Sequence, residues 1–283
     1  MRILNLIRYK NLIILIFSQL LAYQFLISDS CFVFEPDPRL FLLIVASVLI
    51  AASANIINDY FDINIDRINK PEQVVVGRGI KKQLVIIICT LLNLITLGIG
   101  IYLSKTLLLI FILTLLLTYL YSAFLKRICV VGNFVVSLLL ALPIFIVWIY
   151  KPQGSLILIC SYSFFAFFTG IIREIAKDCE DIAGDKAGNC KTIPILLGIQ
   201  KTKILLKTLI TGLILSLVVF VSYLIAEKYI LTSIYILIFV GGFSVMILSK
   251  VKYTNTSKDF SGLSRSIKII IVLGLLSMIF VCF

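Results

Sequence analysis

Two clusters of acidic residues stand at the ends of apolar segments. The first lies in NIINDYFDINID, residues 55–66, and the second in REIAKDCEDIAGD, residues 173–185. Each follows an apolar run long enough to cross a bilayer, where a carboxylate is costly and marks a functional site. The chain contains no histidine, which excludes zinc–histidine sites, haem ligation by histidine and Ser-His-Asp catalysis.

The spacing of these polar residues predicts that each cluster occupies one face of a helix. Asn58, Asp62 and Asp66 follow each other at intervals of four, so the two carboxylates stack and repel unless a cation lies between them. The second cluster repeats at helical spacing and forms an acidic stripe. Its members are Glu174, Asp178, Asp181 and Asp185.

Acids without histidine suit a hard divalent cation. Mg²⁺ prefers oxygen ligands and usually binds through one or two carboxylates plus the phosphates of a substrate. Two separate clusters suggest a diphosphate that is bridged through metals between two helices, with basic side chains on its other oxygens. The candidate basic residues are Arg67, Lys70, Arg78, Lys126, Arg127, Arg173 and Lys177.

The composition indicates an integral membrane protein. Of the 283 residues, 61% are hydrophobic and 14% are charged, against about a quarter charged in soluble domains. The fold class predicted is all-α, with nine membrane-spanning helices in a single domain over residues 1–283. Runs of about 20 apolar residues fall near 11–28, 40–62, 82–104, 106–125, 131–150, 155–175, 203–225, 230–249 and 266–283.

The basic residues predict the orientation. If the N-terminus is cytoplasmic and nine spans alternate, 22 of the 26 Lys and Arg residues fall on the cytoplasmic side. Cytoplasmic loops of membrane proteins are typically enriched in Lys and Arg. The net charge of +12 therefore indicates membrane topology and not a surface that binds nucleic acid. The N-terminus and both acidic loops are therefore expected in the cytoplasm, and the C-terminus across the cell membrane.

Three segments in order resemble the UbiA-type intramembrane prenyltransferases. They are NDYFDINIDRINKP at residues 58–71, YSAFLKRICVVGN at residues 121–133 and REIAKDCEDIAGDKAGNCKTIP at residues 173–194. The resemblance implies nine transmembrane helices around a central cavity, with both Asp motifs binding Mg²⁺ and diphosphate beneath cytoplasmic caps. Within the family, the motif sequences are most similar to those of the branch that transfers a geranylgeranyl group to geranylgeranylglycerol phosphate.

The resemblance also implies roles for individual residues. Asp62, Asp66, Asp181 and Asp185 are the implied catalytic acids. The implied metal ligands are Asn58, Asp62, Asp66, Asp178, Asp181 and Asp185. The candidate substrate-binding residues are Asn58, Arg78, Lys126, Arg127 and Asn133, which match the family's motifs, and Arg67 and Lys177, which are basic residues beside the acidic clusters. The cofactor would be Mg²⁺, and the partners a polyprenyl diphosphate, a lipid-like acceptor and membrane lipid, without nucleic acid.

Other functions stay open at this point. An aromatic acceptor, as in quinone precursors, would need a cation too, so charge alone does not separate it from a glycerol phosphate. A cation-coupled transporter would carry its acids near the bilayer midplane, whereas these stand at helix ends. A CDP-alcohol phosphotransferase would show a DGxxAR-type string, which is absent. A purely structural scaffold gives no reason for two acidic stripes.

Two further features have simple interpretations. The run SYSFFAFFTG, residues 161–170, could offer aromatic faces to an allylic cation, although packing is the simpler interpretation. The seven cysteines are scattered and form no CxxC pair, so they read as small hydrophobic residues.

Overall fold

The computed structural model describes residues 6–28, 33, 36–72 and 74–283. Over these residues the chain is built from α-helices, with short π- and 3₁₀-helical turns. The only extended pairing within the described ranges is one isolated bridge between Val76 and Ile80. Nine helical segments there are long and apolar enough to cross a membrane, which confirms the predicted all-α, polytopic fold class.

The helices are numbered in chain order. They are α1 Tyr9–Ala22, α2 Pro38–Phe61, α3 Ile63–Asn69, α4 Lys82–Leu103, α5 Lys105–Ala123, α6 Val131–Tyr150, α7 Leu156–Glu180, α8 Ile182–Ala187, α9 Ile193–Ala226, α10 Ile230–Tyr235, α11 Gly242–Lys250 and α12 Ser257–Ser277. Short π-helical segments extend α1 over Tyr23–Ile27 and join α10 to α11 over Ile236–Gly241.

Several helices extend beyond their predicted apolar runs. The ninth run is expected from residue 266, but α12 begins at Ser257. The seventh run is expected from residue 203; α9 begins earlier, at Ile193, but is interrupted at Gly198, whose φ of 78° and ψ of 161° are not helical. Part of each expected polar loop is therefore helical. A helix continues into water because its backbone hydrogen bonds are internal, so hydropathy marks the lipid-facing length and not the helix end.

Polar side chains define where three of these helices start. Asp37 accepts hydrogen bonds from the backbone N–H groups of Arg39 and Leu40 at the start of α2. Ser104 accepts one from Leu107 at the start of α5. At the start of α12, Thr256 and Asp259 form a reciprocal capping box. Each cap satisfies N–H groups that a helix end leaves without an internal partner.

The outer surfaces of the spans are apolar. Ile101, Leu215 and Val219 have 71%, 62% and 71% of their surface exposed. In water such exposure over many helices would be unfavourable, whereas lipid tails solvate these side chains. The structure therefore has the surface of a membrane protein, as the composition predicts.

Backbone contacts divide the chain into two compact units. The first comprises the described residues of Met1–Gln19, Glu35–Val135 and Ala183–Cys190. In it α2 packs against α4 and α5, and a buried apolar cluster forms beside the end of α2. This cluster contains Leu6, Ile56, Ile63, Val76, Val85 and Cys89.

The second unit comprises the described residues of Leu20–Phe34, Val136–Ile182 and Lys191–Phe283. Its centre is α7, which packs against α12 and α9. Two contacts show that α7 and α12 run antiparallel: the Ser257 hydroxyl donates to the Glu180 carbonyl at 2.8 Å, and the Tyr162 and Ser277 hydroxyls are 2.9 Å apart.

The cysteines do not all behave alike. Cys89, Cys179 and Cys190 are free and buried, in line with the interpretation as small hydrophobic residues. Cys282 is disulfide-bonded, so that interpretation is wrong for this residue.

Candidate active site

The first acidic motif lies where a spanning helix meets a short one. Helix α2 ends at Phe61 and α3 begins at Ile63, so Asp62 is the junction residue, with φ −94° and ψ 4°. This conformation is sparsely populated and common in active sites. The prediction of one uninterrupted helical face over residues 55–66 is therefore corrected, although Asp66 N–H still donates to the Asp62 carbonyl at 2.8 Å.

The Asp62 carboxylate contacts an amide and a cation. The side-chain amide of Asn58 donates to one of its oxygens at 2.9 Å, and the ammonium group of Lys126 forms an ion pair with the other. Both partners of the ion pair are largely buried, with 8% of the Lys126 side chain and 14% of the Asp62 side chain exposed. Three residues of the predicted site, from two segments of the sequence, are thus brought together.

Asp59, the other acid of this motif, is engaged by the N-terminal segment. Its carboxylate forms an ion pair with the Arg8 guanidinium at 3.0 Å. One turn earlier, the Asn55 amide donates to the Ile7 carbonyl at 3.0 Å. These contacts fix the chain before α1 against α2, which the local sequence of the motif does not reveal.

A tight turn presents Lys126 to Asp62. Residues Leu125–Arg127 form one 3₁₀ turn between α5 and α6. Val130 follows with φ 67°, a strained conformation for a β-branched residue that surrounding structure must impose. A Cβ on Gly132 would lie 3.0 Å from the Cα of Lys126, so glycine permits the start of α6 to pack against this turn.

The second motif repeats the junction seen in the first. Helix α7 ends at Glu180 and α8 begins at Ile182, and Asp181 between them has φ −99° and ψ 10°. Upstream, the buried carboxylate of Glu174 forms an ion pair with Arg173, and Lys177 lies 3.9 Å from it. Asp178 lies in the last turn of α7, and Asp185 lies in α8.

Within the first unit, residues 183–190 pack directly against α3. The Gly184 N–H donates to the Asn69 side-chain oxygen at 2.8 Å. A Cβ on Gly184 would lie 2.4 Å from the Asn69 amide nitrogen, and one on Gly188 would lie 2.6 Å from Ile65. Glycine at both positions therefore allows the segment that carries Asp185 to contact the helix that carries Asp66.

Charged residues of the site shift the pKa of the Cys190 thiol. Burial raises its pKa, the negative charges of Asp185 and Asp62 raise it further, and Lys126 and Arg127 act in the opposite direction. Acids from both motifs and the Lys-Arg pair therefore act on one buried atom. The sequence interpretation did not single out Arg8, Asn69 or Cys190, because none of them belongs to an acidic pattern.

The remaining substrate-binding candidates differ in their surroundings. Arg67 and Arg127 are exposed, whereas Asn133 is buried in the first turn of α6. Arg78 is exposed and donates to the Pro71 carbonyl at 2.9 Å, which stabilises the turn between α3 and α4. Lys177 is half-buried beside Glu174.

The acids suit a magnesium ion that shares its coordination with a substrate. In the described part of the chain, no group of three or more Cys, Asp and Glu residues is arranged to hold an ion by itself. Mg²⁺ does not need such a cage, because it usually takes one or two carboxylates and completes its shell with water and phosphate oxygens. The Asp62 carboxylate beside Asn58 and Lys126 fits that mode.

Comparisons with known proteins agree on the class. The UbiA prenyltransferase family model matches residues 17–277. The digeranylgeranylglyceryl phosphate synthase of Sulfurisphaera tokodaii is 33% identical over 63% of this chain and 64% of its own length. That of Korarchaeum cryptofilum is 31% identical over 86% of this chain and 85% of its own length. The first of these alignments thus spans just under two thirds of the relative.

Solved structures share the fold. One described as giving structural and mechanistic insights into digeranylgeranylglyceryl phosphate synthase in membranes superimposes with a TM-score of 0.72 at 24% identity, covering 98% of this chain and 96% of that one. A UbiA homologue from Archaeoglobus fulgidus bound to DMAPP and Mg²⁺ gives 0.67 at 14% identity, covering 98% and 99%.

These findings define a helical integral membrane protein with two acidic motifs at helix ends. The chain belongs to the UbiA prenyltransferase family. The resemblance noted from the three sequence segments is therefore confirmed.

Proposed function

We propose that this protein is a Mg²⁺-dependent polyprenyltransferase that moves a geranylgeranyl group from its diphosphate to geranylgeranylglycerol phosphate. The observation that carries the proposal is the similarity to digeranylgeranylglyceryl phosphate synthases, which extends over 86% of the chain in one case. The A. fulgidus homologue bound to DMAPP and Mg²⁺ supports the same donor class and the same metal.

Both Asp motifs would hold the diphosphate end of the donor. Asn58, Asp62 and Asp66 would contribute from the first motif, and Asp178, Asp181 and Asp185 from the second. Mg²⁺, when bound, would neutralise the leaving diphosphate. The ion pair between Lys126 and Asp62 supports a role for this lysine in binding the diphosphate. A lysine that pairs with the acid when no diphosphate is bound can bind a phosphate oxygen once the diphosphate is present.

The reaction breaks the allylic C–O bond and forms an ether bond to the acceptor hydroxyl. The diphosphate leaves with the bonding electrons, and the hydroxyl releases a proton. In the absence of histidine, the proton acceptor is a carboxylate, a tyrosine or the departing diphosphate. Apolar helices around the reacting carbon would exclude water, which would otherwise quench the allylic cation.

An anionic acceptor suits the positive charges near the motifs. Arg67, Arg78, Arg127 and Lys177 are the candidates for its phosphate, together with Asn133. Arg67, Arg78 and Arg127 are exposed and therefore accessible to a headgroup at the membrane surface. An aromatic carboxylate could use the same cations, so the relatives and not the charges favour the glycerol phosphate.

The active site would face the cytoplasm in a cell membrane. The distribution of Lys and Arg supports an N-terminus and acidic motifs on the cytoplasmic side and a C-terminus on the other. We treat residues 1–283 as a single catalytic domain, because one family model matches residues 17–277.

A competition assay tests the acceptor. Purified protein in liposomes receives geranylgeranyl diphosphate with equal amounts of geranylgeranylglycerol phosphate and an aromatic quinone precursor, and products are identified by mass spectrometry. We expect the diether phosphate only, and none after chelation of Mg²⁺ with EDTA. The Asp62→Asn variant serves as the inactive control.

A prenylated aromatic without the diether would overturn the acceptor and leave the class intact. Full activity in EDTA would overturn the role of the metal.

A further inference from the structure

Lys203 on α9 is a lysine whose position membrane topology alone does not explain. Lysines that only set the orientation of a membrane protein lie in water, as the exposed Lys201 does two residues earlier. Only 8% of the surface of Lys203 is exposed, and burial of an ammonium group is unfavourable unless hydrogen bonds replace its water. The proposed mechanism gives this residue no role.

The ammonium group of Lys203 binds the segment that leads into α12. It donates to the Lys252 carbonyl at 2.9 Å and to the side-chain oxygen of Asn255 at 3.0 Å. Lys252 belongs to the 3₁₀ turn that follows α11, and Asn255 immediately precedes the N-cap of α12. Hydrogen bonds from a charged donor are stronger than neutral ones, so this lysine fastens the segment to α9.

The same segment fixes the first residues of α12. The N–H groups of Asn255 and Thr256 donate to the Asp259 carboxylate at 3.1 and 2.9 Å. The Asp259 N–H donates back to the Thr256 hydroxyl at 3.2 Å. Phe260 follows and is buried, with 1% of its surface exposed. Ser257 is the first residue of α12, so these contacts determine where its hydroxyl lies.

Ser257 in turn holds the peptide group that precedes Asp181. Its hydroxyl donates to the Glu180 carbonyl at 2.8 Å, one of the carbonyls that a helix end leaves without an internal partner. The Asp181 N–H belongs to the same planar peptide group and donates to the Lys177 carbonyl at 3.0 Å. Both polar atoms of this group are therefore hydrogen-bonded, which fixes the direction in which the chain enters Asp181.

We infer that Lys203 and Ser257 are positioning residues for Asp181, acting from α9 through residues 252–257 to the end of α7. The inference rests on the proposed function, in which Asp181 is a metal ligand, and adds the residues that hold this ligand in place. Loss of a group that orients a metal ligand lowers metal affinity by about ten- to a hundredfold. A lysine that only joined helices would affect stability and leave the Mg²⁺ requirement unchanged.

The first test removes the hydroxyl that contacts α7. The quantity measured is the Mg²⁺ concentration at which geranylgeranyl diphosphate gives half of its maximal thermal stabilisation. Ser257→Ala should raise this concentration by about three- to tenfold, because one neutral hydrogen bond is lost. Ser257→Thr keeps a hydroxyl and should keep the wild-type value. Ser257 is exposed, so both variants should fold.

The second test releases the segment from α9. Lys203→Met removes the ammonium group and should raise the same Mg²⁺ concentration by about tenfold, as for loss of a group that orients a ligand. Lys201→Met is the matched control, because it removes the same charge from an exposed position on α9 and should change nothing. The double variant Lys203→Met/Ser257→Ala should resemble Lys203→Met, because both changes release one peptide group. Fully additive effects would overturn the inference.

Hydrogen–deuterium exchange in the metal-free protein tests the same contacts without a ligand. The amides of residues 178–182 should exchange faster in Lys203→Met and in Ser257→Ala than in the two control variants. The melting temperature in detergent shows whether each variant remains folded. A lower melting temperature for Lys203→Met with wild-type exchange at residues 178–182 would mean that this lysine only stabilises the fold, which would overturn the inference.

The wild-type protein separates failure of this inference from failure of the proposed function. If geranylgeranyl diphosphate gives it no Mg²⁺-dependent stabilisation, the proposed function is overturned and the inference with it. If the wild type responds to Mg²⁺ and both Lys203→Met and Ser257→Ala respond at the same concentration, only the inference is overturned. A higher Mg²⁺ requirement in these two variants and not in their controls supports it.

Discussion

The two acidic motifs share an aspartate at a junction between two helices, and they differ in which cations pair with their carboxylates. Asp62 and Asp181 each occupy the single residue between a long spanning helix and a short one, with nearly the same φ and ψ. The acids of the first motif pair with cations distant in sequence, Arg8 and Lys126. In the second motif, Glu174 pairs with Arg173 and Lys177, which are adjacent on the same helix.

The difference teaches how each motif depends on the rest of the chain. Local backbone geometry places the junction aspartate in both motifs, so the position of Asp62 in the first motif matches that of Asp181 in the second. The balance of charge in the first motif requires the N-terminal segment and the turn before α6 to be folded against α2. The charge balance of Asp59 and Asp62 should therefore respond to distant substitutions, and that of Glu174 mainly to substitutions on α7.

The largest effect should come from the junction aspartates, where the motifs are alike. Asp62→Asn and Asp181→Asn each remove a charge from a proposed metal ligand at the same backbone position. We expect kcat to fall by about a hundred- to a thousandfold in each, as for loss of a group that stabilises developing charge. Steady-state kinetics over a range of Mg²⁺ concentrations measures it. A large loss at only one of the two positions would break the equivalence.

The next largest effect should come from the lysines that pair with the acids, and it should differ between the two motifs. Lys126→Gln leaves the largely buried Asp62 carboxylate without its ion pair and removes a proposed diphosphate contact, so kcat/KM should fall by about ten- to a hundredfold. Lys177→Gln is the matched variant, and it should cost less because Lys177 is more exposed and lies 3.9 Å from its partner. Equal losses would show that the second motif depends on its cation as strongly as the first.

A third effect tests the packing of residues 183–190 on α3. Gly184→Ala places a Cβ 2.4 Å from the Asn69 amide, and the resulting overpacking should reduce stability by about 1–3 kcal/mol. Gly98→Ala in α4 is the control, because its added Cβ meets no atom within 4 Å. Thermal unfolding in detergent gives the difference.

Shortening the opposing side chain sharpens this comparison. The double variant Gly184→Ala/Asn69→Ala should recover part of the lost stability, because the new methyl group then has room. No recovery would mean that the hydrogen bond from the Gly184 N–H to Asn69, which the double variant also lacks, contributes as much stability as removal of the steric clash restores.

The smallest effect should come from the ion pair between Arg8 and Asp59. Its side chains are 38% and 20% exposed, and partly exposed pairs contribute about 0–1 kcal/mol. A double-mutant cycle with Arg8→Gln and Asp59→Asn measures the coupling free energy from unfolding midpoints. A coupling well above this range would mean that the N-terminal segment is a major support of the first motif.

The comparison also shows where helix-wheel reasoning holds. The wheel over residues 173–185 assumed one helix, but α7 ends at Glu180 and α8 begins at Ile182. Glu174 and Asp178 keep the predicted relation because both lie within α7. Asp181 and Asp185 do not, because the junction reorients the chain. No residue pattern in the sequence marks this break, since neither acidic cluster, residues 55–66 or 173–185, contains proline and Gly184 lies beyond the junction.

The sequence by itself determined the class of this protein. The length of the apolar runs predicted the all-α membrane fold, and the resemblance of three segments, residues 58–71, 121–133 and 173–194, indicated the UbiA prenyltransferase family. The spans could be recognised because each lipid-exposed helix must satisfy its own backbone and present apolar side chains over the thickness of the bilayer.

Only the tertiary structure decided the electrostatic partners and the hydrogen bonds between helices. The partner of Asp62 is 64 residues away and that of Asp59 is 51 residues away, and many basic residues near the motifs were equally plausible from their positions. The hydrogen bond between Tyr162 and Ser277 joins residues 115 apart. Such contacts depend on which helices become neighbours, and in lipid that choice is made by shape and by a few polar contacts, which apolar sequence alone does not encode in any local pattern.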